Sequence, residues 1–86
     1  MEKTRHEELL EKLGFSVIDF KSDFGTDIVA GALTTDNGNV EIDWGENGTA
    51  RVYKPNGTVK WYYEKTDAQI CSILKRIIDA NTYKKF

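Results

Sequence analysis

Three Asn-Gly steps constrain the fold of this chain more than any other feature: Asn37-Gly38, Asn47-Gly48 and Asn56-Gly57. Asparagine and glycine adopt positive φ angles at low cost, and tight hairpin turns require such angles. Runs of β-branched and aromatic residues flank each step. The segment 36–63 is therefore predicted to form consecutive antiparallel strands joined by hairpins.

The strand after the first turn alternates apolar and acidic residues. Val40, Ile42 and Trp44 fall on one face, and Glu41 and Asp43 fall on the other. A one-residue slip would bury both carboxylates, so the apolar set is predicted to face the core.

The second turn is predicted to be an odd loop of three residues, with Gly48 as a left-handed bulge. This loop pairs Trp44 with Ala50 and Ile42 with Val52. Both strands then direct their apolar residues to the same face.

The third turn contains Pro55, which lacks an N–H for a strand ladder and ends the strand before it. An even loop here pairs Val52 with Trp61 and Ala50 with Tyr63. The predicted core face of the sheet is Val40, Ile42, Trp44, Ala50, Val52, Val59, Trp61 and Tyr63. The same register places Arg51, Tyr53, Lys60 and Tyr62 together on the open face.

Two further strands are predicted over 15–20 and 27–35. The second of these has two possible inward sets, either Ile28, Ala30 and Ala32 or Val29, Gly31 and Leu33. A two-residue turn at Asn37-Gly38 selects the second set and places Gly31 opposite Trp44, and this arrangement is preferred. A three-residue loop over 36–38 selects the first set.

Helices are predicted over 5–13 and 67–80. Thr4 and Thr66 each stand three residues before a Glu or Gln, which is a capping box, and Gly14 can cap the first helix. In the first helix His6 shares one stripe with the apolar residues Leu9, Leu10 and Leu13, and in the second the apolar stripe is Ile70, Ile73, Leu74, Ile77 and Ile78. The predicted fold is α+β, with a five-stranded antiparallel meander and both terminal helices on one face, in a single domain over 1–86.

Composition limits the functional classes. The 86 residues are 40% hydrophobic, which suits one core. No apolar run approaches the ~20 residues of a membrane span, so no membrane partner is predicted. The single cysteine, Cys71, cannot form an intrachain disulfide, which favours a cytoplasmic location. His6 and Cys71 are predicted to be packing residues, and no metal or cofactor is expected.

The net charge of −2 is unevenly placed along the chain. Acidic residues concentrate in the first half of the meander: Asp23, Asp27, Asp36, Glu41, Asp43 and Glu46. One interpretation pairs Glu41 and Asp43 with Arg51 and Lys60 across the strands. The other is an acidic lobe that binds a basic partner.

Acidic residues lie on the first predicted helix and on two of the predicted strands: Glu8 on the helix, Asp27 at the start of a strand, and Glu41 in Glu41-Ile42-Asp43. Their order resembles the opening of the PD-(D/E)xK nuclease core, which has Glu-x-Lys at the last of these places. The resemblance covers about 45 residues and implies a divalent metal held by Asp27 and Glu41. Asp43 occupies the position of the family's lysine.

The open face suggests binding. Arg51, Tyr53, Lys60 and Tyr62 interleave bases with aromatic rings, a combination that suits protein interfaces or nucleic acid. Ile18, Phe20, Tyr53 and Tyr62 make this face apolar enough for a homodimer. We expect a non-enzymatic protein-binding module, in the manner of small phage-encoded inhibitors or adaptors. The alternatives are a nucleic-acid-binding sheet and a metal-dependent nuclease.

Overall fold

A computed structural model describes residues 4–21, 27–45 and 48–82, with the backbone alone for residues 19–21 and 27. The elements in chain order are α1 (Arg5–Lys12), β1 (Ser16–Lys21), β2 (Asp27–Thr35), β3 (Gly38–Trp44), β4 (Ala50–Tyr53), β5 (Val59–Tyr62) and α2 (Asp67–Ala80). The strands form one antiparallel sheet in the order β1-β2-β3-β4-β5. The predicted α+β meander between two helices is confirmed.

Both helices begin at the predicted caps. The Thr4 hydroxyl accepts a hydrogen bond from the Glu7 N–H at 3.2 Å. Thr66 and Gln69 form the reciprocal capping box, at 3.2 and 2.9 Å. Gly14 follows α1 with φ +99°, a conformation that glycine adopts without strain. The bounds of α2 are those predicted, and α1 ends one residue earlier than predicted.

The core lies between the sheet and the two helices. Its buried members are Leu10, Phe15, Val29, Val40, Ile42, Trp44, Ala50, Val52, Ile70, Leu74 and Ile77. We call the side of the sheet that faces the helices the inner face, and the opposite side the outer face.

The β3–β4 register is as predicted: Ile42 pairs with Val52, and Trp44 pairs with Ala50. The tip residues 46–47 lie outside the described residues, but Gly48 has the expected positive φ of +71°.

The β2–β3 hairpin has the predicted inward set, since Val29 is buried and Leu33 packs on the core. The predicted pairing of Gly31 with Trp44 is wrong, because Gly31 pairs with Ile42. The two-residue turn is Asp36-Asn37, so the register moves by two residues and keeps the same face. The side chains above Gly31 are Leu10 and Phe15, each with an atom 3.2 Å from the position of an added Cβ.

The predicted β4–β5 register is wrong by one residue. Val52 pairs with Lys60, and Arg51 pairs with Trp61. The two faces of β5 are therefore exchanged relative to the prediction. Val59, Trp61 and Tyr63, which were predicted to be buried, are 45, 50 and 63% exposed.

The third turn explains the shift. The Gly57 N–H donates to the Lys54 carbonyl at 3.0 Å, and the Lys54 N–H donates to the Thr58 carbonyl at 2.8 Å. Pro55 takes the second position of this β-turn, where its fixed φ is favourable, and Gly57 follows with φ +89°. The loop therefore has three residues with a glycine bulge, an odd number where the prediction used an even one.

Candidate functional site

The outer face carries two rows of side chains that cross all five strands. One row runs through Ile18, Ala30, Asp43, Arg51 and Trp61. The other runs through Ser16, Ala32, Glu41, Tyr53 and Val59. Because both helices pack on the inner face, these rows form the open surface of the sheet.

A hydrogen-bonded group lies at the centre of this surface. Asp43 Oδ2 accepts from Arg51 Nη2 at 2.6 Å and from Arg51 Nε at 3.2 Å. The Tyr53 hydroxyl donates to the same oxygen at 3.3 Å. The ion pair is partly exposed, so its contribution to stability is small. Its main consequence is that the guanidinium is held in one place.

Arg51 also lies over two aromatic rings. Its Cζ atom is 5.0 Å from the centroid of Trp61 and 5.2 Å from the centroid of Tyr53, both within the range of a cation–π interaction. Trp61 stacks with Tyr63, with centroids 6.3 Å apart and ring planes 7° apart. We call Asp43, Arg51, Tyr53, Trp61 and Tyr63 the aromatic–arginine cluster.

A groove lies beside this cluster, between β1 and β4. Its volume is about 440 Å³, and its floor includes the small side chains Ala30 and Ala32. Ile18 lines one side, and Glu41 and Tyr53 line the other. The groove is thus mainly apolar, with carboxylates on one side only.

Two pKa values are shifted within the cluster. Burial raises the pKa of the Tyr53 phenol, and the neighbouring Asp43 carboxylate raises it further. The hydrogen bond to Asp43 raises the pKa of the Arg51 guanidinium. Around neutral pH, Tyr53 is consequently a neutral donor and Arg51 a fixed cation.

The structure brings together four of the predicted site residues, Glu41, Asp43, Arg51 and Tyr53, on the outer face. The placement of the other two members of the predicted patch is wrong. Lys60 and Tyr62 lie on the inner face, where Lys60 Nζ is 5.5 Å from the Tyr62 ring centroid. Tyr62 is half-buried against the core. The predicted pairing of Asp43 with Arg51 is confirmed, and the exchange of faces removes Lys60 from the charge pairing on the outer face.

The two positions implied by the nuclease resemblance, Asp27 and Glu41, are far apart along the sheet. Glu41 pairs with Ala32, five positions beyond Asp27 on β2. At ~3.3 Å per residue this separation is about 17 Å along the strand. Among the residues with described side chains, no group of three His, Cys, Asp or Glu could hold a metal ion. Asp23 lies outside the described residues.

The polar group on the helix side is structural. His6 stacks on Trp44 with centroids 4.0 Å apart, and its Nε2 lies 3.1 Å from Asp67 Oδ1. Arg5 Nε contacts the other carboxylate oxygen at 2.9 Å. His6 therefore packs on the core, as predicted, and it also links α1 to α2. Cys71 is partly buried, and burial raises the pKa of its thiol.

Val59, Trp61 and Tyr63 are outer-face residues that the sequence prediction missed. The available signal was Pro55, whose position before Asn56-Gly57 allows the same three-residue loop that was predicted at Gly48.

Within the described ranges, neither helix has the length and apolar character needed to cross a membrane. No protein-family model, curated protein or solved structure matches this chain.

Proposed function

We propose that this protein is a non-enzymatic protein-binding module that contacts its partner through the outer face of the sheet. The observation that carries the proposal is the aromatic–arginine cluster, in which Asp43 holds Arg51 beside Tyr53 and Trp61. Tryptophan, tyrosine and arginine dominate binding energy at protein interfaces. Because the cluster is assembled before binding, less side-chain entropy is lost when a partner docks.

The surroundings of the cluster support the same function. Ile18 is 67% exposed at one edge of the sheet, and Trp61 and Tyr63 are exposed at the other. The groove over Ala30 and Ala32 lies between these edges. A partner could bury apolar surface at both edges and insert one side chain in the groove.

Nucleic-acid binding is the second candidate, and the charges of the outer face disfavour it. Asp43 offsets the charge of Arg51, and Glu41 adds a further carboxylate. Lys60, which would have contacted phosphate, faces the other side of the sheet. Phosphate binding requires uncompensated positive charge, so a protein partner is favoured.

The nuclease function is the third candidate. It requires two carboxylates within reach of one metal ion. The separation of Asp27 from Glu41 along the sheet opposes such a site. The missing lysine at Asp43 opposes it as well.

The biological role follows by analogy alone. Small inhibitors and adaptors carried by phages and other mobile elements have a similar size and build, and we propose a cytoplasmic role of this kind. A second version of the proposal, in which the acidic lobe binds and blocks a basic partner, has less support. Asp43, one of the acids of that lobe, is already paired with Arg51.

The test is to capture the ligand, identify it by mass spectrometry and titrate it against salt from about 50 to about 500 mM. We expect a protein ligand with modest salt dependence. Tyr53→Ala should weaken binding at least tenfold, and Trp61→Ala should weaken it similarly. Lys60→Ala on the inner face is the matched control and should bind like the wild type. A nucleic-acid ligand whose affinity collapses with salt would reverse the ranking.

A further inference from the structure

We propose that β5 pairs edge to edge with β5 of a second copy of this chain, antiparallel and related by a two-fold axis at Trp61. The two five-stranded sheets would then form one continuous sheet. This inference goes beyond the proposed function and does not depend on it, because the contacts that carry it lie on the edge of the sheet.

The backbone of β5 supplies the first argument. Lys54 exchanges hydrogen bonds with the turn and with Thr58, so its N–H and C=O face β5. These groups alternate in direction along an antiparallel strand. The groups of Val52 therefore also face β5, and those of its partner Lys60 face back toward β4. Val59 and Trp61 consequently direct their N–H and C=O away from the sheet, where no described strand pairs with them.

The side chains of the same residues supply the second argument. Val59 and Trp61, together with Tyr63 just beyond β5, are exposed apolar residues of the outer face. Soluble sheets usually protect a free edge with charged side chains, proline or a bulge. The outer face of β5 carries no charged side chain, and Lys60 on the inner face is the one charge within the strand. Edge pairing would bury the unpaired backbone groups and part of these apolar side chains together.

Charge selects the register of the pairing. Opposite residues in an antiparallel pair share a face, so only registers that match residues of the same face are possible. A two-fold axis at Lys60 would place two lysine side chains directly opposite each other. An axis at Trp61 places Lys60 opposite Tyr62 of the second copy, the same cation–π combination that occurs within one chain. Val59 then lies opposite Tyr63 of the second copy.

The extent of the contact predicts its strength. Trp and Tyr bury about 150–250 Å² each when fully covered, and here about half of each side chain is available. The interface therefore falls at the low end of specific protein contacts. We expect a concentration-dependent dimer, with a dissociation constant on the order of micromolar.

Sedimentation velocity of the full chain from about 1 to about 500 µM tests the proposal. We expect a shift from monomer to dimer for the wild type and at least a tenfold weaker dimer for Trp61→Glu. Ile18→Glu is the matched control, because it changes another exposed apolar residue of the outer face, at the opposite edge. It should dimerise like the wild type. A monomer over the whole range would overturn the proposal, as would a dimer that survives Trp61→Glu or is lost in Ile18→Glu.

Amide hydrogen exchange provides an independent readout of the register. In the dimer, the amides of Val59 and Trp61 donate across the edge, so their protection should rise with protein concentration. The Lys60 amide already donates to β4, and its protection should change least. Fast, concentration-independent exchange at Val59 and Trp61 would overturn the proposed pairing even if a dimer formed.

Discussion

Two segments of the sheet, residues 40–44 of β3 and residues 59–63 around β5, have nearly the same alternating pattern, but the alternate residues are buried in the first and exposed in the second. Residues 40–44 read Val-Glu-Ile-Asp-Trp, and residues 59–63 read Val-Lys-Trp-Tyr-Tyr. In residues 40–44 of β3 the first, third and fifth residues are buried, whereas in residues 59–63 the same positions are exposed on the outer face. Alternation therefore determines which residues share a face, and it leaves open which face meets the core.

The turns determine which face of each strand meets the core. The β3–β4 and β4–β5 turns both have a glycine at positive φ, Gly48 and Gly57. In both, a hydrogen bond closes a three-residue loop, from Gly45 N–H to the Thr49 carbonyl in the first and from Lys54 N–H to the Thr58 carbonyl in the second. Applied twice, this loop brings Ile42, Val52 and Lys60 to one face. Lys60, at the end of that row, remains exposed at the sheet edge.

The largest difference between the two strands should appear on truncation. Ile42→Ala removes a buried side chain of β3 and should lower the free energy of unfolding by about 2–5 kcal/mol. Trp61→Ala removes a half-exposed side chain and should cost about 1 kcal/mol or less. Urea unfolding at low protein concentration measures both values. Equal losses would mean that Trp61 is a core residue and that the register is misassigned.

The two glycines should also differ. Gly57→Ala meets no atom within 4 Å of the new Cβ, so its cost is conformational, about 1–2 kcal/mol. Gly48→Ala has the same cost and also places its Cβ against the Lys65 backbone, where an undisplaced contact is impossible. We expect about 1–3 kcal/mol of additional destabilisation from that overpacking. Thermal unfolding of the two variants side by side tests this difference, and equal melting temperatures would contradict it.

Local signals explain what the sequence could predict. The N-cap Thr4, the capping box at Thr66 and the apolar stripe of α2 are local signals, each formed by residues within the helix or directly beside it. The β3–β4 register followed from the odd loop at Gly48, and the same reasoning at Pro55 would have given the β4–β5 register as well. Choosing an even loop there exchanged the faces of β5.

The candidate site was predicted in part for the same reason. Arg51 and Tyr53 lie on β4, whose faces the earlier turn had already specified, and they were placed correctly. Lys60 and Tyr62 were placed on the wrong face because they lie beyond Pro55. The contacts of Arg51 with Asp43 and Trp61 depend on pairing across three strands, which no local pattern encodes. The chemistry of a partner is not encoded in this pattern either.

A substitution that preserves the ring should affect stability little and should separate the two tryptophans spectroscopically. Trp61→Phe keeps an aromatic ring near Arg51, so the free energy of unfolding should change by roughly ±0.5 kcal/mol. The remaining Trp44 is fully buried. Its emission should be shifted to shorter wavelength than that of the wild type and should resist acrylamide. Easy quenching in this variant would show that Trp44 is accessible and would remove the contrast between the strands.

The smallest effect concerns the Tyr53 phenol and appears only at alkaline pH. Burial, assisted by the nearby Asp43 carboxylate, raises the pKa of Tyr53 above its ordinary value of about 10. Above that pH the folded protein holds the phenolic proton more tightly than the unfolded chain does. The contribution of this proton is therefore complete below pH ~10 and is lost as the pH rises through the folded pKa.

Tyr53→Phe has no phenol at this position, so its stability should decline less steeply with pH above about pH 10 than that of the wild type. Cys71, whose pKa burial also raises, is present in both proteins and cancels in the comparison. Near neutral pH the two proteins should be almost equally stable, because the Tyr53 hydrogen bond to Asp43 is long and partly exposed. Urea unfolding at about pH 9 and about pH 11 measures the difference in slope. Identical slopes would show that the Tyr53 phenol is not buried, and that the outer face of β4 is as open as that of β5.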